Sequence, residues 1–425
     1  MKRELKLFLF KIGLAAVSAL SVKTVLCMLL IITSSCHENQ ATKRDSVFVA
    51  NLDDAYTSEF KYSDLYSRVT AITLENKDII LNEISKMLVY KDWLYLLDRK
   101  VQGLYAFQKD GSFVCKFGNL GSGPGEYASC KDFAINTDAG EIYIYDMVKK
   151  RIHAYDIVSG TYRKSIQLDG SIGMDYITYC DGYLYAAQTS NRNKEKEDTY
   201  YLLYQIDIRS GKKTAQWLDA ASYNKGWNDE FIHSHIFYNI KRNENLFVLG
   251  LMDTIMCIKK NEVLPYLAVE SKRLLQKDDI LEEEKMPTSN PRLCTKHMMS
   301  LLARTSAQNK VHRIFNVFEH DSMLYFNFMD RTNHFVKYDE RRGKTSVYSR
   351  TTDDVLFQEI PQYFQIPVFL SADATGVYYC VSNDNLDELK SFVEENYVSE
   401  GVINRGSIRN LDDDSNPVLL YYEYK

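Results

Sequence analysis

Short apolar runs of three to six residues, each ending at a polar turn, recur along most of this chain. The clearest are Trp93-Leu94-Tyr95-Leu96-Leu97-Asp98 and Glu141-Ile142-Tyr143-Ile144-Tyr145-Asp146. Further copies are Tyr183-Leu184-Tyr185, Leu246-Phe247-Val248, Met323-Leu324-Tyr325-Phe326 and Val377-Tyr378-Tyr379. Runs this short, aromatic and β-branched, predict strands rather than helices. Each of the first five is followed by a strand pair around a tight-turn dipeptide: Asp110-Gly111, Ser159-Gly160, Ser210-Gly211, Lys260-Asn261 and Arg342-Gly343. Gly and Asn accept the positive φ that such hairpins need. Six copies predict six four-stranded units. No unit buries both of its faces alone, so a ring of neighbours must supply the core.

The sixth copy has no strand pair of its own. After Val381 an acidic, helix-like insertion spans 384–397, then a polar loop leads to the terminal strand Pro417–Tyr424. Far upstream, Arg68–Leu74 is a strand without a unit. Placing it outermost in the last unit leaves no joint unpaired. The fold class is therefore all-β: a six-bladed β-propeller whose N-terminal strand closes the last blade with the C-terminal strand. It spans residues 60–425, with helical insertions near 271–310 and 384–397.

Between the first two copies lies Gly121-Ser122-Gly123-Pro124-Gly125-Glu126-Tyr127. Glycine permits positive φ and Pro124 fixes its own, so the chain turns sharply from one blade to the next. A phosphate-cradling loop is the sharper alternative, but no Lys-Ser/Thr pair follows and the next segment reads as strand. The order FG…GxGPGEY…D…A…IYIYD…KRIHAYD over 117–156 closely resembles an NHL repeat. From about residue 60 onward the chain is similar to six-bladed β-propeller lipoproteins of Gram-negative bacteria, including the terminal NPVLxxYxxK pattern at Asn416–Lys425. That resemblance implies the propeller fold and an address in the cell envelope. Some similar propellers are lyases with a histidine-bound metal, or lactone hydrolases with calcium in the central channel.

The N-terminus supports the same address. Lys2, Arg3, Lys6 and Lys11 precede a long apolar run that ends Thr33-Ser34-Ser35-Cys36. Residues 1–35 thus read as a lipoprotein signal peptide, with Cys36 the lipidated first residue of the mature chain. Thr33 stands where Leu is usual, which keeps an unlipidated, cleaved leader as the alternative. Residues 36–59 read as a polar tether. The full chain carries a formal charge of −5, and the leader holds five basic side chains and one acidic, so the mature chain stands at −9. Such an acidic protein offers no electrostatic case for nucleic acid. Membrane contact is expected through the lipid alone.

If strands run a to d from the axis outward, the b–c and d–a connections share one face. The long segments Asp219–His235, Ser271–Lys310, Arg350–Gln365, Gln188–Thr199 and Ser382–Ser415 all root there, which marks it as the binding face. Segment 271–310 is read as two helical stretches, Lys272–Lys285 and one about Met298–Leu302. They form either a lid or a packed cap. Lys149, Lys150, Arg151 and Arg331, with Arg99 and Lys100 nearby, sit on b–c connections of this face and are candidate contacts for an anionic glycan or acidic partner.

Asp98, Asp146, Asp253 and Asp330 recur at b-strand ends, where local turn bonding explains them better than a ring of cation ligands. His233 and His235, at i and i+2, project to one face of a strand and are the candidate metal pair, without a readable third ligand. Of the cysteines after Cys36, Cys115 and Cys130 are the one local pairing candidate; free buried thiols are the other reading. No nucleophile elbow or metalloprotease helix is present, so neither catalysis nor a cofactor has a warrant in the residues. The expected function is extracytoplasmic recognition of a glycan, peptide or partner protein. The alternative, which the resemblance supplies, is a propeller hydrolase or lyase with a channel metal.

Overall fold

The computed structural model describes residues 47–425 apart from 54, 58, 77–78, 171–172, 192–199, 229–234, 242–243, 287, 360–367 and 413. The leader, Cys36, the tether as far as residue 46, and His233 lie outside the described residues. The chain divides into two compact units, Met1–Val47 and Phe48–Lys425. The second is a six-bladed β-propeller. Its innermost strands are Lys86–Tyr90, Asp132–Asn136, Tyr176–Cys180, Phe237–Lys241, His312–His320 and Val368–Ala372. Among the described residues no helix is long and apolar enough to cross a membrane.

The b strands show why the apolar runs are continuous rather than alternating. In Trp93–Asp98, Leu94 and Leu96 pack toward blade six with Ile72 and Tyr378. Their neighbours Tyr95 and Leu97 pack toward blade two with Ile142 and Ile144. Both faces of each inner sheet are buried between blades, so both sets of positions must be apolar. Full burial of one such side chain stabilises by about 1.5–3 kcal/mol.

The hairpin dipeptides do more than turn the chain. The glycine of a c–d turn sits against the end of the previous blade's outer strand. A Cβ on Gly111 would stand 2.2 Å from the carbonyl oxygen of Thr73, and one on Gly211 would stand 1.9 Å from that of Gln167. The backbone N–H groups of Glu75 and Asp169 donate to Gly111 and Gly211 O. Each turn is thus a joint between blades.

Closure follows the predicted plan. Tyr66–Thr73 pairs antiparallel with Val418–Tyr424, placing Ile72 opposite Leu419 and Thr70 opposite Tyr421. On its other side Val418–Tyr424 pairs with Gly376–Val381. Both ends of the chain are locked into one sheet.

The tether reading is corrected from Phe48 onward. Phe48–Asn51 adds a fifth, parallel strand to the rim of blade four, against Glu262–Glu270. Tyr56–Thr57 does the same at Lys344–Tyr348 in blade five, and Phe60–Lys61 pairs with Thr351–Thr352. The segment is a belt along the rims of blades four and five. Its buried apolar positions, Ala50, Leu52 and Phe60, are too few and too widely spaced to stand out in a polar stretch. Outer edges that would otherwise template further strands are covered. Blade six is covered differently: its b–c insertion, 382–417, folds down the rim and bridges Ile403 to Thr70. That insertion is rooted on the long-connection face without lying on it.

The insertion between blades four and five contains helix α1, Pro291–Ala307, started by Pro291 with the Asn290 side chain accepting from Arg292 N. Helix α2, Leu386–Glu394, lies in the blade-six insertion. The helical stretch expected over Lys272–Lys285 is only two single turns, Lys277–Asp279 and Glu282–Lys285. Its apolar residues serve a separate small core: Leu275, Ile280 and Leu301 close over Trp227 and Leu251, all 0–2% exposed. Arg304 clamps the buried Glu284 through two 2.6 Å bonds. The insertion is a packed cap anchored on the connections of blades three and four.

Candidate functional site

Phe237, Tyr238, Val317 and Phe369 line a cavity with about 20 Å³ of water-accessible space beside Lys86 and His235. A second, of about 10 Å³, lies among Ser85, Lys86, Arg99, Tyr176 and His235. Each holds about one water. The polar groups gather where the inner strands begin, on the face of the long connections.

The first residue of each of three inner strands builds this axial mouth. Lys86 opens the first, and its ammonium donates to Asp132 Oδ2 at 2.9 Å, Phe133 O at 2.8 Å and Ile177 O at 2.9 Å. Asp132 opens the second; its Oδ2 also accepts from Ile177 N at 2.6 Å. Tyr176 opens the third and carries the Arg99 guanidinium 4.9 Å above its ring. Arg99 reaches in from the b–c connection of blade one and donates through Nε to Lys131 O at 2.9 Å. Three blades are thereby tied together by one ammonium with all three of its protons used. Burial pulls the Lys86 pKa down, and Asp132 pulls it back.

The remaining atoms are less satisfied. Arg99 Nη2 stands 3.6 Å from Asp132 Oδ1. Both atoms are sealed from solvent without a hydrogen-bond partner, as are both ring nitrogens of His235. Burial, then the nearby Lys86 and Arg99 charges, depresses the His235 pKa to about 3, so the imidazole is neutral at physiological pH. Among the described residues no three His, Cys, Asp or Glu side chains converge as metal ligands. Cations are the charged neighbours of His235, and they oppose a metal ion there.

The other predicted site residues do not meet. Lys149 donates to Gly121 O at 2.9 Å and Glu126 O at 3.2 Å, so it staples the glycine-rich turn. Lys150 donates to Gly170 O and Arg151 to Gln167 Oε1. These three are in blade two, whereas Arg331 is exposed on blade five, opposite in the ring. Sequence spacing could not reveal that separation. Within the turn only Gly125 has positive φ; a Cβ on Gly121 would stand 2.0 Å from the Glu126 carboxylate and would have to displace it. That carboxylate accepts from Gly123 N at 2.8 Å, so the loop's own side chain occupies the position a phosphate would take.

The repeated aspartates do turn work. Asp98 accepts from the N–H groups of Asn82, Glu83, Lys100 and Val101, and Asp146 from Ala128 and Lys149. Asp330 binds Arg273 and His334, and Asp253 pairs with Lys225. Cys115 and Cys130 are both free thiols, as are Cys180, Cys257, Cys294 and Cys380. Neither Lys86 nor Asp132 is a site candidate in the sequence analysis, where Asp132 enters only as the D of the NHL-like order. Their signal was present: a single charge at the first position of an otherwise apolar inner strand.

Fold and site together define a six-bladed β-propeller with a polar mouth on the face of its long connections. The chain belongs to the family described as "Domain of unknown function (DUF4934)", matched over residues 47–423. No curated protein matches. Among solved structures it is similar to a Bacteroides fragilis NCTC 9343 protein described as exported (BF0058), with 16% identity and a TM-score of 0.67. That match covers 89% of this chain and 100% of the other. A member of the DUF4221 family from Bacteroides vulgatus shares 10% identity at a TM-score of 0.49, over 85% and 97% of the two chains.

Proposed function

We propose that this protein is an extracytoplasmic lipoprotein, anchored through Cys36, that recognises a glycan, peptide or partner protein with its long-connection face. The observation that carries the reading is where apolar surface is left exposed. Beyond residue 60, among the described residues, the exposed large apolar side chains fall on the face of the b–c and d–a connections or the axial mouth, Val158, Leu264 and the rim residue Ile403 excepted. Leu120, Met147 and Val148 stand out near the glycine-rich turn, and Leu281, Met286 and Met299 on the cap. Apolar side chains concentrated on one face of a rigid scaffold mark an interaction surface. The exported relative and the leader-like N-terminus support the address. A channel-metal hydrolase or lyase has less support, because the charges acting on His235 are the cations Lys86 and Arg99.

A matched pair of positions tests the face. Val148 is 66% exposed on a b–c connection and Val158 is 62% exposed on a turn of the opposite face. A photo-crosslinking amino acid placed at Val148 should capture the partner in intact cells, while the same group at Val158 should not. Equal capture from both positions, or capture from Val158 alone, overturns the reading. Mass spectrometry of the mature N-terminus should find acyl chains on Cys36; an unmodified residue there refutes the anchor.

A further inference from the structure

We propose that the axial mouth binds the carboxylate of a small ligand, one oxygen entering the cavity between Arg99 and His235. This deepens the binding reading above by naming the chemistry of one point on the same face.

The argument is one of charge and unmet hydrogen bonds. Two cations meet at the starts of the inner strands, Lys86 and Arg99. Among the described residues Asp132 is the carboxylate paired with them; Lys86 and a backbone N–H hold its Oδ2, and its Oδ1 stands 3.6 Å from Arg99 Nη2. Asp175, beside Tyr176, is turned away to the N–H and hydroxyl of Thr189. Asp330, near His312, is held by Arg273 and His334. Arg99 Nη2 and both His235 nitrogens point into the sealed space unpartnered. Unmet donors beside surplus positive charge favour an oxyanion over a neutral group.

Arg313 is the second signal. It is the second residue of the bulged inner strand of blade five, held at φ +55°, a conformation that costs a non-glycine residue about 1–2 kcal/mol. Its guanidinium lies over its own Phe315 ring at 5.0 Å, and burial lowers its pKa. Among the described residues it has no hydrogen bond or ion pair. The bulge brings Asn316 N onto the Tyr238 hydroxyl, which in turn donates to His235 O. The Tyr238 hydroxyl thus ties the bulge that begins at Arg313 to the backbone carbonyl of His235. Backbone strain retained beside a buried polar cluster is expected at functional sites. The 10 Å³ cavity admits one oxygen, and the partly exposed Arg99 and Tyr176 leave room outside for the rest of the molecule.

The test uses the mature, full chain with its histidine rings labelled for NMR. Sodium acetate, titrated against sodium chloride at constant ionic strength, should shift the His235 signals saturably, whereas acetamide should not. Arg99→Gln should weaken acetate binding at least tenfold. Arg99→Lys should recover part of the affinity, and an unchanged melting temperature shows that each variant is folded. No saturable shift, an equal response to acetamide, or unaltered binding by folded Arg99→Gln overturns the proposal. Glucuronate and N-acetylalanine separate a uronate from a peptide terminus as the source; tighter binding of either supports the site, and binding of neither overturns it. Crosslinking from Val148 is read independently. Its success with a silent acetate titration removes only the mouth, and the converse removes only the apolar face.

Discussion

Replacing Gly211 by alanine tests whether the c–d turns are joints between blades rather than simple hairpins. Gly211 has φ +68°, and its missing Cβ would stand 1.9 Å from Gln167 O and 2.9 Å from Gln167 C. Left-handed backbone costs an alanine about 1 kcal/mol. Relieving the collision moves the turn off blade two, strains the packing by about 1–3 kcal/mol and endangers the 3.1 Å bond from Asp169 N. The expected loss is about 3–4 kcal/mol. Gly140 supplies the control: its φ is +61°, but a Cβ there meets only Ile157 Cγ2 at 3.7 Å. Gly140→Ala therefore isolates the backbone cost of about 1 kcal/mol. For a unit running from Phe48 to Lys425 the unfolding entropy is about 0.8 kcal/mol/K. Differential scanning calorimetry should show Gly211→Ala melting about 4–5 °C below the parent and Gly140→Ala about 1 °C below. Equal shifts for the two variants would refute the joint and leave only backbone strain.

Two further outcomes follow from buried groups. Burial raises the Asp353 pKa to about 6 from 3.8, against bonds from Tyr422, Leu356 and Val355 that lower it. Because the folded carboxyl binds its proton more tightly, its stabilising contribution is complete below pH 3.8 and is lost as pH rises through 6. Asp353→Asn should therefore gain about 2 kcal/mol over the parent at pH 7.5, and the gain should vanish by pH 4, as read by urea unfolding; a pH-independent difference would refute the cause. Trp227→Ala should empty the small core of the cap at a local cost of about 3–5 kcal/mol. Hydrogen exchange across Pro291–Ala307 should then accelerate while the inner strands stay protected, and unchanged exchange in that helix would show that Trp227 does not hold it.

The local chemistry of the chain determined the blades. Continuous apolar runs such as Leu94–Leu97 encode strands buried on both faces, and glycine or asparagine at each outer turn encodes the positive φ of the hairpin. The unpaired strands at 68–74 and 417–424 likewise encoded closure, because an edge left open in a ring has no other partner. Tertiary structure decided what depends on distance between blades. It turned Phe48–Lys61 into a belt, since at most one buried side chain per short strand acquires meaning only against an existing rim. It set Lys149–Arg151 and Arg331 on opposite sides of the ring, and it committed Lys149 to two backbone carbonyls. It also brought Lys86, Arg99, Asp132 and His235 to one mouth, although they are spread over about 150 residues. A charged residue opening an apolar strand is visible in one dimension. Which other charges it meets is fixed by the radial arrangement of six sheets, which brings the starts of all the inner strands to the same axis.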